Sequence, residues 1–331
     1  MNQQIEDLPQ RPFRCAIRMM QVVSGMRCDV ERTAMNGAMM TMTLESKGQN
    51  SAVLDIALSD GNHIPQVGLG ILRVSDEETT PVVLNALEAG YRHIDGAAGY
   101  GNEAGMGRAL AEAGLTRGDA RGCMWVTTKL RDSEQGHDAA LRAFDRQIGL
   151  LQLDYVDMYM IHWPTPFDWR SGETWTAFRE LKEQGRVRTL GVCNFLPEHL
   201  ERLHRETGEW PAVDQIELHP TWQQRDTVAF CREHGIAVEA YSPMARGADL
   251  QAGHGLISRI AGEHGVSEAQ VILRWHIENG TIIIPKSVHA DRQRENLDLF
   301  GFALTQSEHA AIDGLDGPVR AGHDPQTFSY A

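Results

Sequence analysis

The stretch Glu88-Ala89-Gly90-Tyr91-Arg92-His93-Ile94-Asp95 reads as a helix end, a glycine and an apolar strand that closes on an acid. The same order returns at Glu183-Gln184-Gly185 before Val187 to Cys193, at Glu233-His234-Gly235 before Ile236 to Ser242, and at Glu278-Asn279-Gly280 before Thr281 to Lys286. Glycine just past a helix end takes the left-handed conformation without a Cβ clash, so each copy is a helix C-cap that feeds a strand. Further strand-like runs are Met124 to Lys129, Val156 to His162 and Ala212 to Leu218, with a first strand near Pro65 to Gly70. The intervening segments are helical in pattern, as in Glu77 to Ala89, Asp138 to Leu150 and Ala269 to Ile277. Strands that alternate with helices make a parallel sheet with helical crossovers. Eight such strands predict an α/β fold of the closed (β/α)8 barrel type, one domain over residues 51 to 331. An open, doubly wound sheet would instead hold a dinucleotide through G-x-G-x-x-G directly after a strand. The nearest candidate for that motif, Gly105-Met106-Gly107, has Leu110 at the third glycine position and falls inside a helix.

Residues 1 to 50 stand apart, with eight of the chain's thirteen methionines and no clear helical or strand period. They read as an extension outside the fold: a disordered tail, or residues ahead of a true initiator at Met35, Met39, Met40 or Met42. Arg11, Arg14, Arg18, Arg27 and Arg32 hint at a transit segment, but Glu6, Asp7, Asp29 and Glu31 count against one. A formal charge of -14 and the lack of a basic patch argue against a nucleic-acid or anionic-membrane partner. No run of 18 apolar residues occurs. Five cysteines without a CxxC pair suit reduced thiols, and the expectation is a monomeric, cytoplasmic protein with a small-molecule partner.

Barrel enzymes place their chemistry at the C-terminal ends of the strands. Three successive strands here end in Asp95, Lys129 and His162, each after an apolar stretch that desolvates it. A half-buried lone charge costs several kcal/mol, so Asp95 and Lys129 on neighbouring strands are natural partners. Tyr100 follows five residues after Asp95 in the loop Gly96-Ala97-Ala98-Gly99-Tyr100-Gly101, which brings its hydroxyl to the same mouth. An ammonium beside a phenol favours the phenolate, so Lys129 is expected to draw the Tyr100 pKa toward working range. His162 is placed to donate to a carbonyl oxygen. Each residue alone has a structural reading, as a cap, a core histidine or a loop anchor; together at successive strand ends they point to catalysis. A metal-dependent barrel hydrolase lacks support, since no HExxH or paired carboxylate-histidine spacing appears.

Several segments resemble the signatures of the aldo-keto reductase family. They are Gly90 to Asp95 with Tyr100-Gly101-Asn102-Glu103, Val126 to Leu130, His162-Trp163-Pro164, Gly191 to Phe195, Gln215 to Pro220 and Ile284 to Val288. The pattern is similar to the bacterial subgroup containing 2,5-diketo-D-gluconate reductase, through His162-Trp163-Pro164-Thr165-Pro166, Gln223-Gln224-Arg225, Arg274-Trp275-His276 and Glu295-Asn296-Leu297-Asp298. The resemblance implies NADPH-dependent reduction of an aldehyde or ketone by a tetrad of Asp95, Tyr100, Lys129 and His162. It further implies that Asn194 and Gln215 hold the nicotinamide carboxamide, Tyr241 stacks on the ring, Ser242 meets the pyrophosphate, and Glu295 with Asn296 address the adenine. Lys286, Ser287 and Arg292 would bind the adenosine 2′-phosphate, a charge-assisted clamp where barrels often bind phosphate. Leu72, Gly99, Arg131 and Trp163 would face the substrate. The chain departs from the pattern at Cys193 (commonly serine), Asp214 (commonly asparagine), Gly96 (commonly threonine) and Arg131 (commonly tryptophan), while Leu72 and Gly99 are small for their places. Arg131 is therefore expected to select acidic substrates such as keto-sugar acids. A rival with the same fold is a cofactor-binding regulatory barrel in which reduction is secondary.

Overall fold

The computed structural model describes residues 54–328, so the extension assigned to residues 1 to 50 lies outside the described residues. The chain opens with a short antiparallel hairpin, β1 (Asp55–Ala57) and β2 (His63–Pro65). Eight barrel strands follow: β3 (Leu69–Gly70), β4 (His93–Asp95), β5 (Trp125–Leu130), β6 (Val156–Ile161), β7 (Val187–Cys193), β8 (Val213–Glu217), β9 (Ala237–Tyr241) and β10 (Ile282–Ile283). Each pairs in parallel with its neighbour in chain order. A parallel bridge from Val67 to Ile283 joins the last strand to the first, with Gly68 N–H donating to Ile283 O at 2.8 Å and Ile283 N–H to Gln66 O at 2.9 Å. The sheet is thus closed, as a (β/α)8 barrel requires.

The glycine-capped helix ends form as expected: Gly90, Gly185, Gly235 and Gly280 have φ of 113°, 72°, 68° and 68°. Strand ends differ from the sequence reading for local reasons. Tyr91 and Arg92 belong to the turn before β4. At β10, the Ile284 N–H still donates to Ala240 O at 3.3 Å, but Pro285 has no N–H to continue the ladder. The hairpin went unread because three-residue strands are too short to show alternation. Its Ile64 and the turn residue Leu58 meet Trp125, Val213 and Ile282 from the first residues of barrel strands, so the hairpin plugs the N-terminal mouth. The opposite mouth stays available for chemistry.

Gly105 and Gly107 lie in the helix Glu103–Glu112, and close packing explains them. A Cβ would stand 2.4 Å from Asp76 O at Gly105 and 2.3 Å from Leu150 O at Gly107. These glycines let three helices touch backbone to backbone. Among the described residues, no helix is long and apolar enough to cross a membrane.

Candidate active site

Asp95 is the last residue of β4, Lys129 the penultimate residue of β5, and His162 the first beyond β6. Tyr100 ends a single 3-10 turn, Ala98–Tyr100, that hangs over the same mouth. The Lys129 ammonium donates to both Asp95 oxygens at 2.7 Å, to Gly96 O at 3.0 Å and to the Tyr100 hydroxyl at 3.3 Å. Lys129 is 0% and Asp95 1% exposed, so the pair is fully withdrawn from water. Burial opposes the ammonium, yet the adjoining Asp95 carboxylate outweighs it and holds Lys129 charged, above the ordinary lysine value. The Tyr100 and His162 rings meet edge to face with centroids 5.7 Å apart. Burial, helped by the charges of Lys129 and Arg131, lowers the His162 pKa well below the ordinary histidine value, so its imidazole is neutral.

The acidity of Tyr100 departs from the sequence expectation. Burial raises its pKa, and the nearby Asp95 charge works in the same direction; the Lys129 ammonium only partly offsets them. Tyr100 is therefore firmly protonated, holding a proton to give.

Asn194 and Gln215 lie side by side, the Asn194 N–H donating to Gln215 O at 2.9 Å. Asn194, with φ of 64°, donates from Nδ2 to His162 O at 3.1 Å and accepts from the Tyr241 hydroxyl at 2.7 Å. The Gln215 Nε2 group is shared between two carboxyls, donating to Asp95 Oδ1 and Glu239 Oε2, both at 2.8 Å. That geometry spends both amide hydrogens and leaves the carbonyl Oε1, which accepts only a long 3.6 Å contact from the Cys193 thiol. Cys193 also receives Asn194 Nδ2 at 3.1 Å, so this thiol sits between the two amides. Asp214, buried with its pKa pushed well up, faces the Phe195 N–H at 3.4 Å instead of this group. Glu239, unremarked in the sequence, is wholly buried; burial and then the Asp95 charge push its pKa up to about 8.

Ser242 has φ of 49° directly after Tyr241. Ser287 is buried and caps its own turn, accepting from the His289 N–H at 3.1 Å. Lys286 and Arg292 are exposed, and neither has an ion-pair or hydrogen-bond partner among the described residues. Glu295 is half-buried and Asn296 buried, both in the helix Ala290–Leu297.

On the substrate side, Leu72 is exposed and Gly99 half-buried in the Tyr100 turn. Arg131 forms no ion pair with Glu134, whose carboxylate goes to Arg146. Its Nη2 donates instead to Ala98 O at 3.1 Å and so braces the turn carrying Tyr100. Trp163 is buried under the C-terminal tail, its ring 4.5 Å from that of Phe328 and 6.3 Å from that of His323. The tail's part in this wall was missed by sequence reading, because nothing local in residues 320–328 marks them as reaching back across the barrel.

The model of the aldo/keto reductase family matches residues 65–317. This chain belongs to that family. An aldo-keto reductase of Mycobacterium sp. (strain JLS) is 46% identical over 275 residues, 83% of this chain and 98% of that protein. The methylglyoxal reductase DkgA of Yersinia pestis is 44% identical over 273 residues, 82% of this chain and 96% of that protein. A mutant of Gox0644 crystallised in complex with NADPH superimposes with a TM-score of 0.79 at 42% identity, covering 84% of this chain and 99% of that one. The chain is accordingly an aldo-keto reductase, an oxidoreductase whose class of reaction is carbonyl reduction.

Proposed function

We propose that this aldo-keto reductase converts an aldehyde or ketone to the alcohol with NADPH, and that Tyr100 delivers the proton. The observation that carries the reading is one buried ammonium held between the Asp95 carboxylate and the Tyr100 hydroxyl. When bound, NADPH supplies the hydride. The residues present suit it: the Gln215 carbonyl, which accepts only the long Cys193 contact, would receive a carboxamide N–H, and Lys286 and Arg292, unpaired among the described residues, would meet the 2′-phosphate together with Ser287. Neutral His162 donates a hydrogen bond to the carbonyl oxygen and orients it toward Tyr100. As negative charge grows on that oxygen, the Tyr100 proton moves onto it, and the nascent phenolate rests against Lys129. Asp95, which also accepts from Gln215, fixes the ammonium in place throughout.

The test is NADPH consumption across aldehydes, keto acids and diketo sugars. Turnover of at least one class is expected; tight NADPH binding with no turnover of any would favour the regulatory barrel.

The clamp gives a second expectation. Lys286→Ala and Arg292→Ala should each weaken NADPH binding by roughly 1 to 3 kcal/mol, the range for a hydrogen bond to a charged group, while changing NADH binding little. Fluorescence titration with both cofactors decides it, and equal losses would place the 2′-phosphate elsewhere.

Arg131 bears on substrate class. With one nitrogen on Ala98 O, its remaining N–H groups can grip a substrate carboxylate, for which a planar guanidinium is well shaped. Arg131→Trp is expected to shift the ratio of kcat/KM between a carboxylate-bearing ketone and a neutral aromatic aldehyde by more than about threefold, in favour of the aldehyde. Taking a ratio cancels any common loss from a loosened Tyr100 turn. A smaller shift would leave Arg131 as a brace alone.

A further inference from the structure

The segment Gln215 to Pro220 contains two residues that neither the tetrad nor the clamp uses, Glu217 and His219. The His219 ring is 0% exposed and both its nitrogens face carboxylates: Nε2 lies 3.0 Å from Glu217 Oε1 and Nδ1 3.0 Å from Asp249 Oδ2. The other contacts of those carboxylates define what the ring joins. Glu217 accepts the Ala321 and Gly322 N–H groups of the C-terminal tail, the latter at 2.7 Å. Asp249 accepts the Thr221 N–H at 3.2 Å and its hydroxyl at 2.7 Å. Gly322 is needed for this closeness, since a Cβ there would stand 2.5 Å from Glu217 Oε2 and 3.3 Å from the Tyr241 hydroxyl. Three distant segments therefore meet at one imidazole: the end of β8, the segment Ala245–Gly255 that follows Tyr241 and Ser242, and the tail whose His323 and Phe328 cover Trp163.

We propose that His219 is a positioning residue that seats the substrate-side tail through Glu217 and ties it, through Asp249, to the segment beside the cofactor contacts. The second half of this statement rests on the proposed roles of Tyr241 and Ser242. The groups that face the ring are few. His276 lies close, but burial pulls its pKa down to about 4 and it is neutral. Arg320 on the tail is turned to the Trp222 ring at 4.8 Å and to Asp324 at 3.1 Å. The two carboxylates thus dominate. Burial opposes a charged ring, yet hydrogen bonds to Asp249 and Glu217 outweigh it and raise the His219 pKa, while His219 helps to lower both of theirs against the effect of burial.

The contribution of His219 is complete below the ordinary histidine value and is lost as pH rises through its raised value. The carboxylates contribute above their ordinary values and fail only as pH falls through their lowered ones. A neutral imidazole has one N–H, so above that range one carboxylate faces a lone pair and the junction loosens. The tail is held at mildly acid to neutral pH and released on the alkaline side.

Hydrogen exchange of the tail amides, corrected for intrinsic rates, reads the seating without any substrate. Wild-type Ala321 and Gly322 should be protected near neutral pH and lose about tenfold or more of that protection in alkali, in His219→Gln and in Gly322→Ala, with the strand Val156–Ile161 unchanged in each. Gly322→Ala touches no barrel core and serves if His219→Gln fails to fold. With a bulky apolar aldehyde, Gly322→Ala should raise KM by about fivefold or more while kcat stays within about twofold. Tail protection unaltered in both variants and flat with pH would overturn the proposal. Absence of any turnover would count against the reductase reading alone, since the exchange result stands without it.

Discussion

Tyr100→Phe is expected to lower kcat by on the order of a hundredfold or more and to leave NADPH affinity nearly unchanged, since general acid catalysis contributes about that much. The substitution removes one oxygen, and the lost contact is the 3.3 Å hydrogen bond from Lys129. Lys129 keeps its two bonds to Asp95 and one to Gly96 O, so the buried pair survives and the fold should not suffer. The ring retains its edge-on packing with His162. A rate still limited by hydride transfer and above a tenth of the wild-type kcat would remove Tyr100 from the reaction.

Lys129→Met carries the second large effect, on stability as well as rate. It leaves the Asp95 carboxylate 1% exposed and without its cation, an arrangement that costs about 3 to 5 kcal/mol when one partner of a buried pair is deleted. The variant should unfold at correspondingly lower urea concentration and lose activity on the order of a hundredfold or more, because the phenolate that forms at Tyr100 no longer has a neighbouring ammonium. Adding Asp95→Asn should restore most of the stability, since the buried charge is gone, and none of the activity. Such non-additivity is the mark of a coupled pair. A stability loss under about 1 kcal/mol for Lys129→Met alone would mean that water reaches the pair.

Much of this arrangement was legible because it is local. A glycine after a helix end and a polar residue at a strand end are both decided by near neighbours, which is why Gly90 and Gly280, and Asp95, Lys129 and His162, fell where the pattern put them. Tyr100 followed from loop length alone. The direction of its acidity did not, because that depends on how closely the mouth is packed, and burial there outweighs the Lys129 charge. Arg131 was readable as a cation near the mouth, but its bond to Ala98 O required knowing where the turn curls. The hairpin at Asp55–Pro65 was invisible because its three-residue strands are too short to alternate, and the tail residues Ala321 and Gly322 because their partner Glu217 lies more than a hundred residues away and leaves no period in the chain. Glu239 was likewise unreadable, since a glutamate inside an apolar strand gains meaning from the Gln215 amide beside it on the adjoining strand and from the His93 ring.

On the proposed reading this mouth transfers hydride from NADPH to a carbonyl carbon while the proton on oxygen comes from the protein. The most direct measurement is the reduction of an accepted aldehyde or ketone by wild-type enzyme with NADPH carrying deuterium at both C4 positions, followed by mass and NMR analysis of the alcohol. One deuterium bound to the carbinol carbon is the predicted result. An alcohol with ordinary hydrogen on that carbon, formed in ordinary water, would contradict it.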